Sequence, residues 1–310
     1  MINKTAFFFP GQGSQSVGMM AGFGDNPVIK QTFTEASDIL KIDFWAMATE
    51  PNELLNLTQN TQPLMLIAGV ATHRAALQAG LQASIHAGHS LGEYTALVAS
   101  NALSFADALP LVKFRAEAMQ SAVPEGVGAM AAILGLDDAL VREACIEAAQ
   151  GEICEAVNYN SIGQVVIAGN KAAVERAMEI CKAKGAKRAL PLPVSVPSHC
   201  ALMRPAAEKL ADYLKGVTLT APQIPVIHNA DVAAYNDSDN IKAALVRQLY
   251  SPVRWVETVQ MIHAQGVTNC AEVGPGKVLA GLTKRIVAEL PCADLTSNEA
   301  IKEFKNTINQ

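Results

Sequence analysis

Gly88-His89-Ser90-Leu91-Gly92 sets a serine between two glycines, where the short apolar run 84–87 gives way to an alanine- and leucine-rich stretch, 91–100. The first pattern suits a buried strand and the second a helix. A strand that turns sharply into a helix lifts the residue at the joint out of the sheet, and flanking glycines remove side chains that would clash there. Ser90 is therefore the leading candidate nucleophile. Glycine abundance alone produces a G-x-S-x-G pattern in roughly one chain in ten of this length, so a tight structural turn remains the alternative. Other residues must decide.

Half of the 310 residues are hydrophobic, 17% are charged and 5% are aromatic, which suits one large or two smaller α/β domains with a real core. Disorder is not expected. A net charge of −5 offers no concentrated basic surface for phosphates, so nucleic acid is not an expected partner. The longest apolar runs are too short to span a bilayer, and residues 1–9 lead into a Pro-Gly turn without the pattern of a signal peptide. The expectation is a cytoplasmic chain off the membrane. Cys145, Cys154, Cys181, Cys200, Cys270 and Cys292 are widely spaced with no C-x-x-C pair, which fits reduced thiols rather than disulfides or a metal site.

Residues 6–9 read as a buried first strand, broken at Pro10 by the glycine-rich turn Gly11-Gln12-Gly13-Ser14-Gln15, which exposes backbone N–H groups. A helix is expected over 62–77, ahead of the strand that carries the serine turn. Between 126 and 193 the rhythm changes to strand 130–136, helix 137–149, strands 154–159 and 164–168, helix 170–184 and strand 188–192. Asn170 is the expected N-cap of that second helix and Gly185 its stop. The order βαββαβ is the ferredoxin-like pattern, flanked by prolines as an inserted unit would be. Helices at 199–214 and 241–249 and strands at 224–228 and 270–273 complete the chain, with fraying expected over the last dozen residues.

A serine hydroxyl needs a base, and imidazole is the natural one near neutral pH. His199, in Pro197-Ser198-His199-Cys200, follows a proline-stiffened crossing that could aim it at a cleft and is the first choice. His89 adjoins Ser90 but diverges from it on a tight turn, while His73, His86, His228 and His263 fall within elements where packing or surface polarity explains them. No acid presents itself as the third member of a triad, since Asp107, Asp137 and Asp138 all look like helix-start residues, so a backbone or amide oxygen could orient the base instead. Arg115 interrupts an otherwise apolar helix. Turned inward it would need an anion such as a carboxylate; the commoner state is a surface arginine paired with Glu117 or a neighbour.

Taken together, Phe9-Pro10-Gly11-Gln12-Gly13-Ser14-Gln15, Gly88-His89-Ser90-Leu91-Gly92-Glu93, Arg115, Ser198-His199, Gln248 and Glu272-Val273-Gly274-Pro275-Gly276 resemble the malonyl-CoA:acyl carrier protein transacylase family over nearly the whole chain. The resemblance implies an α/β-hydrolase-like core with a parallel sheet, residues 1–125 and 194–310, and a ferredoxin-like subdomain, residues 126–193, inserted in it. It also implies roles. Ser90 would take the malonyl group as an ester, His199 would carry its proton, and the backbone carbonyl of Gln248 would orient His199. The N–H groups of Gln12 and Leu91 would form the oxyanion hole, where losing one donor typically costs ~100-fold in rate. Arg115 would grip the free malonyl carboxylate, with Gln62 and Asn160 lining the same pocket.

The implied partners are malonyl-CoA and an acidic acyl carrier protein, with coenzyme A as substrate and no further cofactor, for a chain acting as a monomer. An acidic enzyme needs a local basic patch to meet an acidic carrier. Lys187, Arg188, Lys284 and Arg285, with Lys182 and Lys184, are candidates, against the alternative of a solvated helix face. Rival readings are a serine esterase or thioesterase, which water rather than a thiol would discharge, a polyketide acyltransferase loading methylmalonyl, and a scaffold indifferent to loss of Ser90.

Overall fold

In the computed structural model, which describes residues 4–194 and 196–309, the triple-phenylalanine run becomes a strand buried along its whole length. Residues 1–3, part of the stretch read for a signal peptide, lie outside the described residues. The described residues form strands β1 (Thr5–Phe9), β2 (Ile85–Gly88), β3 (Gly128–Leu134), β4 (Cys154–Ser161), β5 (Gln164–Asn170), β6 (Arg188–Pro191), β7 (Val226–His228), β8 (Ala233–Ala234), β9 (Asn269–Glu272) and β10 (Cys292–Asp294). They make two separate sheets.

The larger sheet runs β10-β9-β1-β2-β7-β8, with every pair parallel except the edge pair β7–β8. A parallel sheet must be covered on both faces, and β1 does this by simple alternation. Phe7 and Phe9 enter a core built with helices Pro27–Leu40, Thr58–Gln78 and Phe105–Gln120. Ala6 and Phe8 point the other way, into a core with helices Trp255–Ala264 and Val278–Ile286. There the fully buried Trp255 meets the Phe8 ring edge-on at 5.3 Å between centroids. Burying one such aromatic side chain stabilises the fold by roughly 2–3 kcal/mol.

The smaller sheet is antiparallel in the order β4-β5-β3-β6. Ala131 and Ile133 of β3 pack under helices Asp138–Ala149 and Lys171–Ala183, whereas Met130 faces the opposite side with Val166, Ala168 and Cys200. Backbone bonds tie this sheet to the rest of the chain: Tyr159 donates to the Val253 carbonyl at 3.0 Å and Val253 to that of Val157 at 2.8 Å. The chain is thus a mixed α/β protein with a mainly parallel sheet beside a separate antiparallel one.

Three local expectations need correction. Asn170 stands at the N-cap position, but its side chain makes no capping bond; its Oδ1 accepts from the N–H of Ile153 and ties β5 to the start of β4. The helix expected from 199 begins at Arg204, behind a 3-10 turn at Ala201–Met203, because His199 has φ +66, which no helix accommodates. In place of fraying, Asn298–Ile308 is a helix that buries Ile301 and Phe304 and is capped by the Ser297 hydroxyl accepting from Ala300 N–H. Among the described residues, no helix is long and apolar enough to cross a membrane, and no cluster of three or more His, Cys, Asp or Glu could hold a metal ion.

Candidate active site

β2 ends at Gly88, helix Gly92–Ala99 starts four residues later, and Ser90 between them has φ +52. A left-handed conformation costs a non-glycine residue about 1–2 kcal/mol, so the surroundings must hold it. A Cβ on Gly88 would overlap the Gly92 carbonyl, and one on Gly92 would overlap the Phe9 carbonyl of β1, so the turn folds this tightly only with glycine at both places. A Cβ on Gly11 would likewise overlap the His89 carbonyl oxygen, which brings the first glycine-rich turn against the serine turn. The backbone of the elbow is gripped from behind. Asn229 accepts the Ser90 N–H at 2.7 Å and donates to the Gly88 carbonyl at 2.6 Å, while the Gln248 side-chain amide donates to the Ser90 carbonyl at 2.9 Å.

His199 Nε2 lies 2.8 Å from Ser90 Oγ, and its Nδ1 lies 2.7 Å from the backbone carbonyl of Gln248. The carbonyl is free because helix Ser238–Tyr250 ends two residues later, and the last four carbonyls of a helix lack internal partners. The neighbouring orphan, Leu249 O, accepts the His199 backbone N–H at 3.0 Å. A carbonyl can only accept, so Nδ1 carries the proton and Nε2 is left to take the proton of Ser90. Burial, and then the charge of Arg115, push the His199 pKa down to about 3, with the Gln248 carbonyl pulling weakly upward. The imidazole is neutral near pH 7, as a base must be.

Arg115 is 1% exposed. Its Nη1 donates to Gln62 Oε1 at 2.6 Å, and its Nη2 to Gln248 Oε1 at 2.9 Å and to Ser90 Oγ at 3.3 Å. The surface pairing with Glu117 that its residue type suggests is therefore overturned. Its Nε is buried without an acceptor, and burial pulls its pKa down from the usual arginine value. The helical stripe Ala108, Leu111, Val112, Arg115, Met119 is buried throughout, and this spacing was the available signal that Arg115 points inward.

Gln12, Gln62, His89, Leu91, Arg115 and Met130 share the walls of one cavity over Ser90 and His199, to which Thr58, Asn158, Leu192 and Val194 also contribute. Asn160 does not line it. Its Oδ1 accepts from His89 Nε2 at 2.8 Å, while Asn158, two residues earlier on the same strand, takes the place on the wall. Lys187, Arg188, Lys284 and Arg285 are exposed, whereas Lys182 pairs with Glu179 and Lys184 lies between Glu143 and Glu147 at 3.9 and 3.8 Å. Sequence reasoning missed Asn229 and gave Glu93 and His228 no part. Glu93 stood inside the serine motif, and His228-Asn229 close a strand, the position where side chains of a parallel sheet gather.

The buried histidines make stability sensitive to acid. Burial lowers His73 to about 4 and His86 to about 3, like His199, against 6.5 in an unfolded chain. Below pH 6.5 the unfolded chain therefore binds more protons, and stability falls as pH falls, by up to roughly 1.4 kcal/mol per pH unit per group. Glu272, raised by burial to about 7 from 4.5, acts oppositely: its contribution is lost as pH rises from 4.5 to 7. Three groups outweigh one. Thermal unfolding should show a midpoint that drops steadily from pH 6.5 to 4.5, and a flat midpoint across that window would contradict these assignments.

Residues 6–304 match the family described as acyl transferase domain. The malonyl CoA-acyl carrier protein transacylase of Escherichia coli strain K12 is 57% identical over 303 residues, covering 97% of this chain and 98% of that one. A solved structure of the malonyl CoA-acyl carrier protein transacylase from Coxiella burnetii superimposes with a TM-score of 0.98 at 45% identity, covering 100% of this chain and 99% of that one. Another, a type II PKS acyl-carrier protein in complex with its malonyl-transacylase, gives a TM-score of 0.97 at 53% identity, over 98% of this chain and 100% of that one. Matched along nearly its whole length, with serine and histidine in bonding contact at the turn, this chain belongs to the acyl transferase family.

Proposed function

We propose that this acyltransferase moves the malonyl group of malonyl-CoA to the phosphopantetheine thiol of an acyl carrier protein, by way of a malonyl ester on Ser90. The observation that carries the reading is Arg115, a buried guanidinium on the cavity wall whose Nη2 lies 3.3 Å from the candidate nucleophile, in a chain whose relatives bear that activity in their names. Ser90 Oγ attacks the thioester carbonyl as His199 Nε2 takes its proton. The N–H groups of Gln12 and Leu91 receive the developing oxyanion. Collapse breaks the C–S bond, and His199 returns the proton to the departing thiol. The carrier thiol then attacks the ester and reverses each transfer. Coenzyme A is a carried substrate, and the chemistry calls for no metal or organic cofactor. The Gln248 carbonyl stabilises the transient imidazolium in place of a triad acid.

The same reading divides the chain into a hydrolase-like core, residues 1–125 and 194–310, and a ferredoxin-like unit, residues 126–193, working as a cytoplasmic monomer. The antiparallel order β4-β5-β3-β6, with both helices on one face, supports the ferredoxin-like assignment. Asn160 acts by steadying His89 rather than by touching substrate.

Transfer is tested by mixing the enzyme with isotopically labelled malonyl-CoA and holo carrier protein. Label on the carrier supports transfer, and free malonate without labelled carrier makes the chain a hydrolase. For docking, Arg188, Leu134 and Gln164 lie in one register row, and Arg285 donates to Gln164 Oε1 at 2.8 Å, which aligns two of the exposed cations along the end of the smaller sheet. Reversing charge at Lys284 and Arg285 is expected to raise the carrier's KM several-fold and leave the reaction with coenzyme A unchanged. Equal effects on both would remove the patch from docking.

A further inference from the structure

Behind the serine turn lies a second buried charge. Glu93 is fully buried in the first turn of helix Gly92–Ala99. Its Oε1 meets His228 Nδ1 at 2.7 Å, and its Oε2 accepts from the Asn229 backbone N–H and from Gln248 Nε2, both at 2.9 Å. The other end of the Gln248 amide, Oε1, accepts from Arg115. A buried cation and a buried anion are thus separated by one amide. That amide can sit only one way round: its NH2 faces a carboxylate and the Ser90 carbonyl, and its oxygen faces a guanidinium.

We propose that Glu93 is a specificity-determining positioning residue, the internal counter-charge of Arg115, held one amide away so that the guanidinium stays charged in a dry site while its remaining donors stay open to the substrate's carboxylate. A carboxylate in direct contact would fill the bidentate face of the arginine, and the substrate would have to displace it. No anion at all would leave the cation buried and uncompensated. Spacing the pair by Gln248 keeps part of the attraction, since Coulomb energy falls only as the inverse of distance, and leaves Arg115 on the cavity wall with Nη1 bonded once, to Gln62, and Nη2 reaching Ser90 Oγ only at 3.3 Å. The inference rests on the malonyl reading of this site.

Glu93→Gln isolates the charge. An amide nitrogen in the place of Oε1 can donate to His228 once that ring moves its proton to Nε2, which is now buried without a partner, and the amide oxygen can keep both bonds made by Oε2. Acylation kinetics with malonyl-CoA and acetyl-CoA give the readout. In the variant the substrate's carboxylate becomes the sole counter-charge, so the malonyl-to-acetyl ratio of kcat/KM should rise about tenfold, through a lower KM for malonyl-CoA. An equal fall in kcat for both substrates with an unchanged ratio would reduce Glu93 to a prop for the elbow and overturn the proposal. Gln62→Glu, whose oxygen already meets Arg115 Nη1 at 2.6 Å and whose amide nitrogen reaches only the Met119 sulfur, carries the same test with opposite sign if Glu93→Gln does not fold. It sets a carboxylate on Arg115 and should cut the ratio at least tenfold, and an unchanged ratio overturns the proposal equally. A wild-type enzyme without malonyl preference would instead sink the functional reading, which separates the two failures.

Discussion

Ser90→Ala is expected to lower malonyl transfer by roughly 10⁴-fold or more while leaving the fold intact. The loss is large because, among the described residues, neither His89 nor Ser198 stands ready to replace the oxygen: His89, the adjacent residue, bonds Asn160, and the hydroxyl of Ser198 lies against the Val196 carbonyl. The fold should survive because the elbow is held through its backbone, by Asn229 and Gln248, and not through the hydroxyl. Alanine also tolerates the observed φ of +52 about as badly as serine, so the strain is unchanged. Initial rates of transfer to carrier protein, with thermal unfolding as control, measure both statements. Residual transfer within tenfold of wild type would remove Ser90 as the nucleophile.

Arg115→Ala should lose about 10²- to 10³-fold in kcat/KM for malonyl-CoA and change little with acetyl-CoA, so that the preference between them collapses. A charge-assisted bidentate pair in a buried site is worth this much because acetyl offers nothing to the guanidinium and leaves its desolvation uncompensated. Arg115→Lys should fail to restore the preference. An ammonium is a point charge without the planar fork that here spans Gln62, Gln248 and the serine at once. Competition between the two thioesters measures the ratio directly. Unchanged selectivity in Arg115→Ala would remove the carboxylate contact from the account.

What could be read in the sequence was local. The serine turn, the first strand and the βαββαβ run from 126 to 193 each rest on spacing within a few residues, and the structure has a strand or helix at each, with no end shifted by more than two residues. The parallel sheet and the separate antiparallel one followed from that alternation. The pairings β1–β9 and β2–β7 did not, since they join segments more than 100 residues apart, and one sequence contains no signal for such contacts. The same limit hid the support of the site. Gln248 was assigned its carbonyl only through family resemblance, and its side chain, which touches Ser90, Glu93 and Arg115, went unread. Asn229 sits on a strand end 139 residues from the backbone it grips. Residue type alone favoured a surface Arg115, and only the family resemblance turned it inward, although the stripe it occupies is apolar at every other turn position. His199 illustrates the remaining failure: a positive φ at a non-glycine residue is set by tertiary contacts, here the two orphan carbonyls of helix Ser238–Tyr250, and no local propensity anticipates it.

The serine ester is the central claim, and intact-protein mass after brief mixing with malonyl-CoA tests it most directly, followed by peptide mapping and a chase with holo carrier protein. The expected result is one malonyl adduct, confined to the peptide holding Ser90, absent from Ser90→Ala, and discharged when the carrier is added. An enzyme that transfers malonyl at full rate with no adduct at any mixing time, or with the adduct on another residue, would contradict the account.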